Sequence, residues 1–250
     1  MIASLVHNNI TYRVDLSKPL DISIPLSGTS KNPVAWYLEK PVIEAVEQED
    51  WTGSVAKGAS VNFNNIKFNP HAHGTHTECV GHITEEFYSV QKALKQYFAI
   101  ARVITVAPEL KGTDMVISRK QLSSILSGDS PDALVIRTLP NTSSKRSRKY
   151  SNTNWPYLEE GAANFIRKIG VEHLLIDLPS VDKEKDDGKL KAHKAFWNYP
   201  EAPRMNATIT EFIYVSNRIN DGTYLLNIQT APFVNDATPS RPVLYKIMSI

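Results

Sequence analysis

Four of the chain's seven histidines, His71, His73, His76 and His82, lie in one short run from Asn69 to Ile83 that also carries Glu78. For one lone histidine, a solvated or merely hydrogen-bonded ring is the simpler reading. Four together with a carboxylate point to a metal site, because neutral imidazole and carboxylate suit zinc, manganese or iron(II). Gly74 lets the backbone pass close to an ion, and His76 and Glu78 share a face if the segment is extended. Structural zinc sites favour several cysteines in a closed tetrahedron, whereas this chain has only Cys79, so an open catalytic site is the expectation.

The elements that must position this run can be read on either side of it. Thr11 to Pro25 alternates as strand, turn and strand, and Ser60 to Phe68 alternates as a strand leading into the histidines. Between them, Val34 to Glu49 mixes apolar and acidic residues at roughly helical spacing broken by Pro41, which predicts a short helix or an ordered excursion. Phe98 to Val106 and Ala133 to Thr138 read as buried strands, and Ser118 caps a helix over Arg119 to Leu126. Leu158 to Ile169 has helical spacing, stops at Gly170 and is followed by a central strand, Val171 to Leu178. Ile209 to Val215 and Tyr224 to Ile228 read as strands linked by a turn at Asn220, Asp221 and Gly222, and Val243 to Ile247 as a further strand. Helices and strands interleave in the middle and strands dominate later, so the fold class is α/β, a mixed sheet core with packed helices in a single domain spanning residues 1–250.

Gly74, Thr75, His76, Thr77, Glu78 and His82 resemble the Gly-Thr-His-x-Asp-x-Pro-x-His signature of the cyclase and kynurenine formamidase family of metal-dependent hydrolases. Asp15 to Leu20 is similar to that family's Asp-Leu-Ser-x-Pro-Leu opening, Ala133 to Thr138 to its strand ending in Arg-Thr, and Gly170 to Asp182 to its Gly-Val-x-x-x-x-x-Asp-x-x-Ser-x-Asp segment. The resemblance implies the swivelling β/β/α fold. It also implies that His193 and Glu211 complete a metal set begun by His71 or His73, His76 and Glu78, and that His82 moves protons. One or two divalent ions are implied, zinc first, manganese or iron as alternatives. Three departures stand out: the family's leading histidine falls on Ala72, flanked by His71 and His73; Glu78 replaces an aspartate; and Val80 replaces a proline.

Such a site would hydrolyse an amide-type bond of an arylformamide, a cyclic amide or a related small acyl compound through an activated water. The rival reading is a non-catalytic binding protein that keeps the fold and the metal, and a purely structural protein would bind no metal. A serine hydrolase lacks its Gly-x-Ser-x-Gly elbow here, and a nucleotide cofactor its Gly-x-Gly-x-x-Gly turn. Trp36, Trp155 and Trp197 are more simply core than pocket wall.

Composition narrows the partners. With 42% hydrophobic and 22% charged residues and a net charge of +2, the chain reads as an ordinary globule without the basic character of a nucleic-acid binder. The basic run Lys145, Arg146, Arg148 and Lys149 sits among Ser, Thr and Asn and reads as a solvated loop. One cysteine excludes an intrachain disulfide, and no apolar segment is long enough to span a membrane, so the cytoplasm is the expected compartment. The resemblance adds a homo-oligomer.

Overall fold

The runs rich in Val, Ile and Leu form the centre of one large sheet. In the computed structural model, which describes residues 1–248, the strands that matter are, in chain order, β1 (Ile2–His7), β2 (Ile10–Asp15), β3 (Val42–Ala45), β4 (Asn64–Lys67), β5 (His76–Glu78), β6 (Phe98–Val106), β7 (Ala133–Thr138), β8 (His173–Ile176), β9 (Thr208–Glu211), β10 (Gly222–Thr230) and β11 (Ala237–Met248). β6, β7, β8 and β9 are parallel neighbours, β10 lies antiparallel to β6, and β11 lies antiparallel to β10. Short β5 pairs antiparallel with β9 on one side and with β11 on the other, so the sheet closes on itself. β1 and β2 form a hairpin that extends the sheet beyond β11.

Side-chain alternation divides this sheet into two packed faces. Ala99, Ala101, Val103, Val135, Leu175, Leu226 and Leu244 pack together on one side. Ile104, Leu134, Ile136, Leu174, Ile176 and Ile209 point the other way, against α1 (Arg119–Ile125), α2 (Glu160–Lys168) and α3 (Lys191–Trp197). Full burial of each such Leu, Ile or Val stabilises by about 1.5–3 kcal/mol, which fixes the strands independently of any ligand. Trp155 and Trp197 are buried in the packing. α1 begins as its sequence predicts: the Ser118 hydroxyl accepts from the Gln121 amide while the Gln121 side chain accepts from the Ser118 amide.

Three expectations are corrected. Val34 to Glu49 holds no helix: Trp36 and Tyr37 adopt left-handed φ angles of 58° and 60°, and beyond Pro41 the chain becomes β3, paired with β4. Of the expected strand from Ser60 to Phe68, only β4 forms. The strands on either side of Asn220 to Gly222 are not partners, since β9 lies between β8 and β5 while β10 lies between β6 and β11. Phe212, at φ 55°, ends β9 and turns the chain away.

The basic run is solvated at Arg146, Arg148 and Lys149, as expected, but not at Lys145. Lys145 is buried, and its Nζ donates to Asp177 Oδ2 at 2.7 Å, to the Thr138 carbonyl at 2.7 Å and to Thr138 Oγ1 at 2.8 Å. The Thr138 amide donates back to Asp177. Lys149 Nζ donates to the Asn32 carbonyl, and the Arg146 and Arg148 guanidinium groups lie over the Tyr214 and Tyr150 rings. The polar neighbours that suggest solvent supply the turns that deliver Lys145 inward.

Candidate metal centre

β5 and the two short 3-10 turns around it do most of the positioning. The turn Pro70–Ala72 delivers His71, β5 delivers His76 and Glu78 to one face, and the turn Val80–His82 delivers His82. Two glycines make this path possible. Gly74 has φ 142°, outside the comfortable range of a side-chain-bearing residue, and a Cβ on Gly81 would stand 2.2 Å from the Tyr88 carbonyl oxygen. β9 places Glu211 opposite His76. α3 places His193, and Asp182 sets that helix. The two Asp182 carboxylate oxygens accept from the Ala192 amide at 2.7 Å and the His193 amide at 3.1 Å, and Oδ2 also accepts from the His193 ring at 2.6 Å.

The result is a set of imidazoles, each held from outside by a group that can only accept a hydrogen bond. His76 Nδ1 donates to the Gly74 carbonyl at 3.0 Å, His193 Nδ1 to Asp182, His71 Nε2 to Asp236 Oδ2 at 2.9 Å, and His82 Nδ1 to the same Asp236 oxygen at 3.2 Å. Those four donors fix four tautomers. The second nitrogen of each neutral ring is then a lone pair, and all four face two carboxylates. His71 Nδ1 lies 3.1 Å and His82 Nε2 3.9 Å from Glu78 Oε2. His193 Nε2 lies 3.1 Å from Glu78 Oε1 and 3.9 Å from Glu211 Oε1, and His76 Nε2 lies 3.4 Å from Glu211 Oε2.

Acceptors facing acceptors require a cation between them. Glu78 is 0% and Glu211 2% exposed, and each buried carboxylate costs several kcal/mol unless compensated. Glu211 Oε1 accepts from the Val181 amide, whereas His76 Nε2 and Glu78 Oε2 have no hydrogen-bond partner. Without an ion, protons fill the deficit. Burial pulls the His71 ring down, but the Asp236 and Glu78 carboxylates beside it overcome this and push it up to about 10. Burial likewise opposes a charged His193, and Asp182 and Glu78 hold it well above the usual histidine range. Glu78 is the counterpart: burial raises its carboxyl, and His82, His193 and His71 outweigh that to hold it well below the ordinary value. A divalent ion satisfies the same demand, and nitrogen and oxygen ligands about 2.0–2.2 Å from one ion stand roughly 3.3 Å apart, close to the spacings found. The donor set fits a metal.

Not every residue singled out in the sequence joins this centre. His71, His76, Glu78, His82, His193 and Glu211 come together; His73 does not. His73 Nδ1 accepts from the Asn69 amide at 2.8 Å and Nε2 donates to the Glu39 carbonyl at 2.8 Å, so both ring nitrogens are occupied holding the loop. Asp236 and the capping role of Asp182 were missed. Asp182 lies within the family-like segment, 11 residues before His193, whereas Asp236, in the turn-like run Pro232 to Pro239, carries no local signal.

A closed sheet with helices on its outer face and a buried imidazole–carboxylate centre is the architecture of a cyclase-type protein. The family model described as Putative cyclase matches residues 14–183, and the chain belongs to that family. It is 30% identical over 238 residues to the kynurenine formamidase of Geobacillus thermodenitrificans, covering 94% of this chain and 97% of that protein. It is 29% identical over 234 residues to the kynurenine formamidase of Bacillus cereus, covering 92% and 99%. Among solved structures, isatin hydrolase A from Labrenzia aggregata superposes with a TM-score of 0.67 at 13% identity over 91% of this chain and 93% of that one. An isatin hydrolase bound to thioisatinate gives 0.65 at 14% identity over 92% and 93%. At these identities the structures establish the shared fold.

Proposed function

We propose that this protein is a metal-dependent hydrolase of carbon–nitrogen bonds other than peptide bonds, cleaving an arylformamide, a cyclic amide or a related small acyl substrate. The observation that carries this reading is the convergence of four outward-tethered imidazoles on two buried carboxylates. The enzyme class accords with the two kynurenine formamidases that the chain resembles over nearly its whole length.

His71, His76, Glu78, His193 and Glu211 would hold one or two divalent ions; zinc is the first choice for this nitrogen and oxygen donor set, with manganese or iron as alternatives. Such an ion supplies Lewis acidity and brings the pKa of water toward neutrality. The chain's own groups do the rest. Glu78 and Glu211 keep the centre anionic and dry, and Asp182 and the Gly74 carbonyl hold the His193 and His76 rings in register. His82 sits at the mouth, its side chain 31% exposed and its Nε2 facing the centre. It takes the proton of the attacking water as the carbon–oxygen bond forms and delivers it to the leaving nitrogen as the carbon–nitrogen bond breaks. A binding protein would have no use for a proton carrier at that opening, so the non-catalytic reading is not favoured.

Two finer points belong to the same proposal. The protein works as a homo-oligomer in a reducing compartment such as the cytoplasm. Ile43, Val61, Phe63 and Ile66 stand exposed on and beside the β3–β4 ribbon, an apolar strip suited to a second copy, and Cys79 is a free buried thiol. None of the described helices is long and apolar enough to cross a membrane.

Elemental analysis of freshly purified protein tests the core of the reading, paired with an assay on an arylformamide. One or two equivalents of metal in the native chain, lost together with turnover in His76→Ala, is the expected result. A native protein that takes up no zinc, manganese or iron when offered each would overturn it.

A further inference from the structure

The proposed centre leaves one carboxylate without a task, and its contacts define one. We propose that Asp236 is a positioning residue which, through a single oxygen, holds the ring protons of both His71 and His82 on their outward nitrogens, so that both rings turn a lone pair toward Glu78. The inference deepens the hydrolase reading and rests on it for the catalytic consequence, though not for the tautomers themselves.

The two rings stack with centroids 4.2 Å apart and planes inclined by 27°, and both aim an N–H at Asp236 Oδ2, at 2.9 Å and 3.2 Å. Two parallel N–H dipoles repel, and only an anionic acceptor between them makes the stack favourable. Because a carboxylate cannot donate, neither ring can reverse its tautomer while this oxygen is shared. The inward nitrogens are His71 Nδ1, 3.1 Å from Glu78 Oε2, and His82 Nε2, 3.9 Å from the same atom. One oxygen therefore sets the nitrogen that would bind an ion and the nitrogen that would carry a proton.

A simpler task, pinning the loop before β11, is already done by the main chain. The Cys79 amide donates to the Asp236 carbonyl at 3.0 Å, the Val90 amide donates to the Asn235 carbonyl at 2.9 Å, and Ala237 pairs with Glu78. The Asp236 side chain has the two rings as its hydrogen-bond partners. Asparagine could set its carbonyl oxygen where Oδ2 stands and accept from both rings, whereas alanine removes the shared acceptor. In Asp236→Ala neither outward N–H keeps its partner, and His82 is released from the Nδ1–H form.

The test uses the full chain labelled with nitrogen-15 in histidine and loaded with zinc. Two-bond nitrogen–proton spectra distinguish Nδ1–H from Nε2–H. The native protein should show His71 as Nε2–H and His82 as Nδ1–H, and Asp236→Ala should shift His82 toward Nε2–H with no loss of folded protein by urea titration. Turnover of an arylformamide should fall about 10–100-fold with KM little changed, the scale expected for loss of an outer-sphere partner, and Asp236→Glu should restore part of it. Native tautomers opposite to these, or unchanged spectra in Asp236→Ala, would overturn the proposal. Absence of any formamide turnover by the native protein would instead count against the hydrolase reading, while the spectra still decide the role of Asp236.

Discussion

Two groups of buried charge lie at neighbouring strand ends, and only one is complete. Lys145 and Asp177 carry one charge each, and the ammonium and the carboxylate are hydrogen-bonded to each other and to Thr138 at every donor the geometry offers. Burial drives the Asp177 carboxyl up and the Lys145 ammonium down, and their pairing opposes both shifts. The His–Glu centre is the reverse: its outer hydrogen bonds are complete, and inside it His76 Nε2 and Glu78 Oε2 have no hydrogen-bond partner. Saturation marks a group that holds the fold, and a convergent deficit marks a group built to receive something.

The largest contrast comes from removing charge without volume. Glu78→Gln keeps the shape of the centre but deletes the carboxylate on which His71, His82 and His193 converge. Metal content by elemental analysis should vanish, and turnover should fall by more than the roughly 100-fold that loss of an outer partner costs. Retained metal would mean that Glu211 alone organises the site.

The saturated pair should fail differently. Lys145→Met strands a buried carboxylate and should cost about 3–5 kcal/mol in urea unfolding, whereas the metal bound per folded molecule stays unchanged. Adding Asp177→Asn, which removes the stranded charge but keeps an acceptor for the Thr138 amide, should recover at least part of that loss. A double variant no more stable than the single one would refute the idea of a self-contained pair. No second substitution should rescue Glu78→Gln in the same way.

A third buried ionisable group sharpens the comparison from the neutral side. His173 is satisfied without charge: its Nδ1 bonds Thr208 Oγ1 at 2.9 Å, and burial lowers its pKa to about 4. In the unfolded chain the ring titrates near 6.5, so between pH 6.5 and 4 the unfolded state takes a proton that the native state refuses. Stability attributable to this ring is intact above pH 6.5 and is lost as pH falls to 4, about 3 kcal/mol in all. Unfolding free energies of the native chain and of His173→Gln, followed through that window, should converge as pH falls; parallel curves would show that the ring is not held neutral.

The sequence disclosed elements whose cause is local. Ala133 to Thr138 is a strand end to end because alternate residues serve two cores, and Ser118 starts α1 because its side chain reaches Gln121. It disclosed the members of the centre on β5, where the histidines cluster, and left His71 and His73 undecided. A 3-10 turn supplies the one-residue offset that brings His71 in, and no pattern of residue types reports such an offset. Lys145 and Asp236 were illegible for a different reason. Each sits in a polar, turn-rich stretch, and each acquires its role from a partner far along the chain, Asp177 in one case and His71 and His82 in the other.

The closure of the sheet also sets an order of events. β5 is only three residues long, and its hydrogen-bonding neighbours are β9 and β11, both far downstream. Until those strands exist, His76 and Glu78 have no ladder to join, and Glu78 and Glu211 remain in water with their hydration intact. The desolvation of both carboxylates is thus deferred to the last contacts of highest sequence separation, which are the slowest to form. A chain emerging from the ribosome would therefore carry these side chains for most of its synthesis as separate, hydrated groups, and the proposed ion would meet a preassembled centre only once β11 has docked.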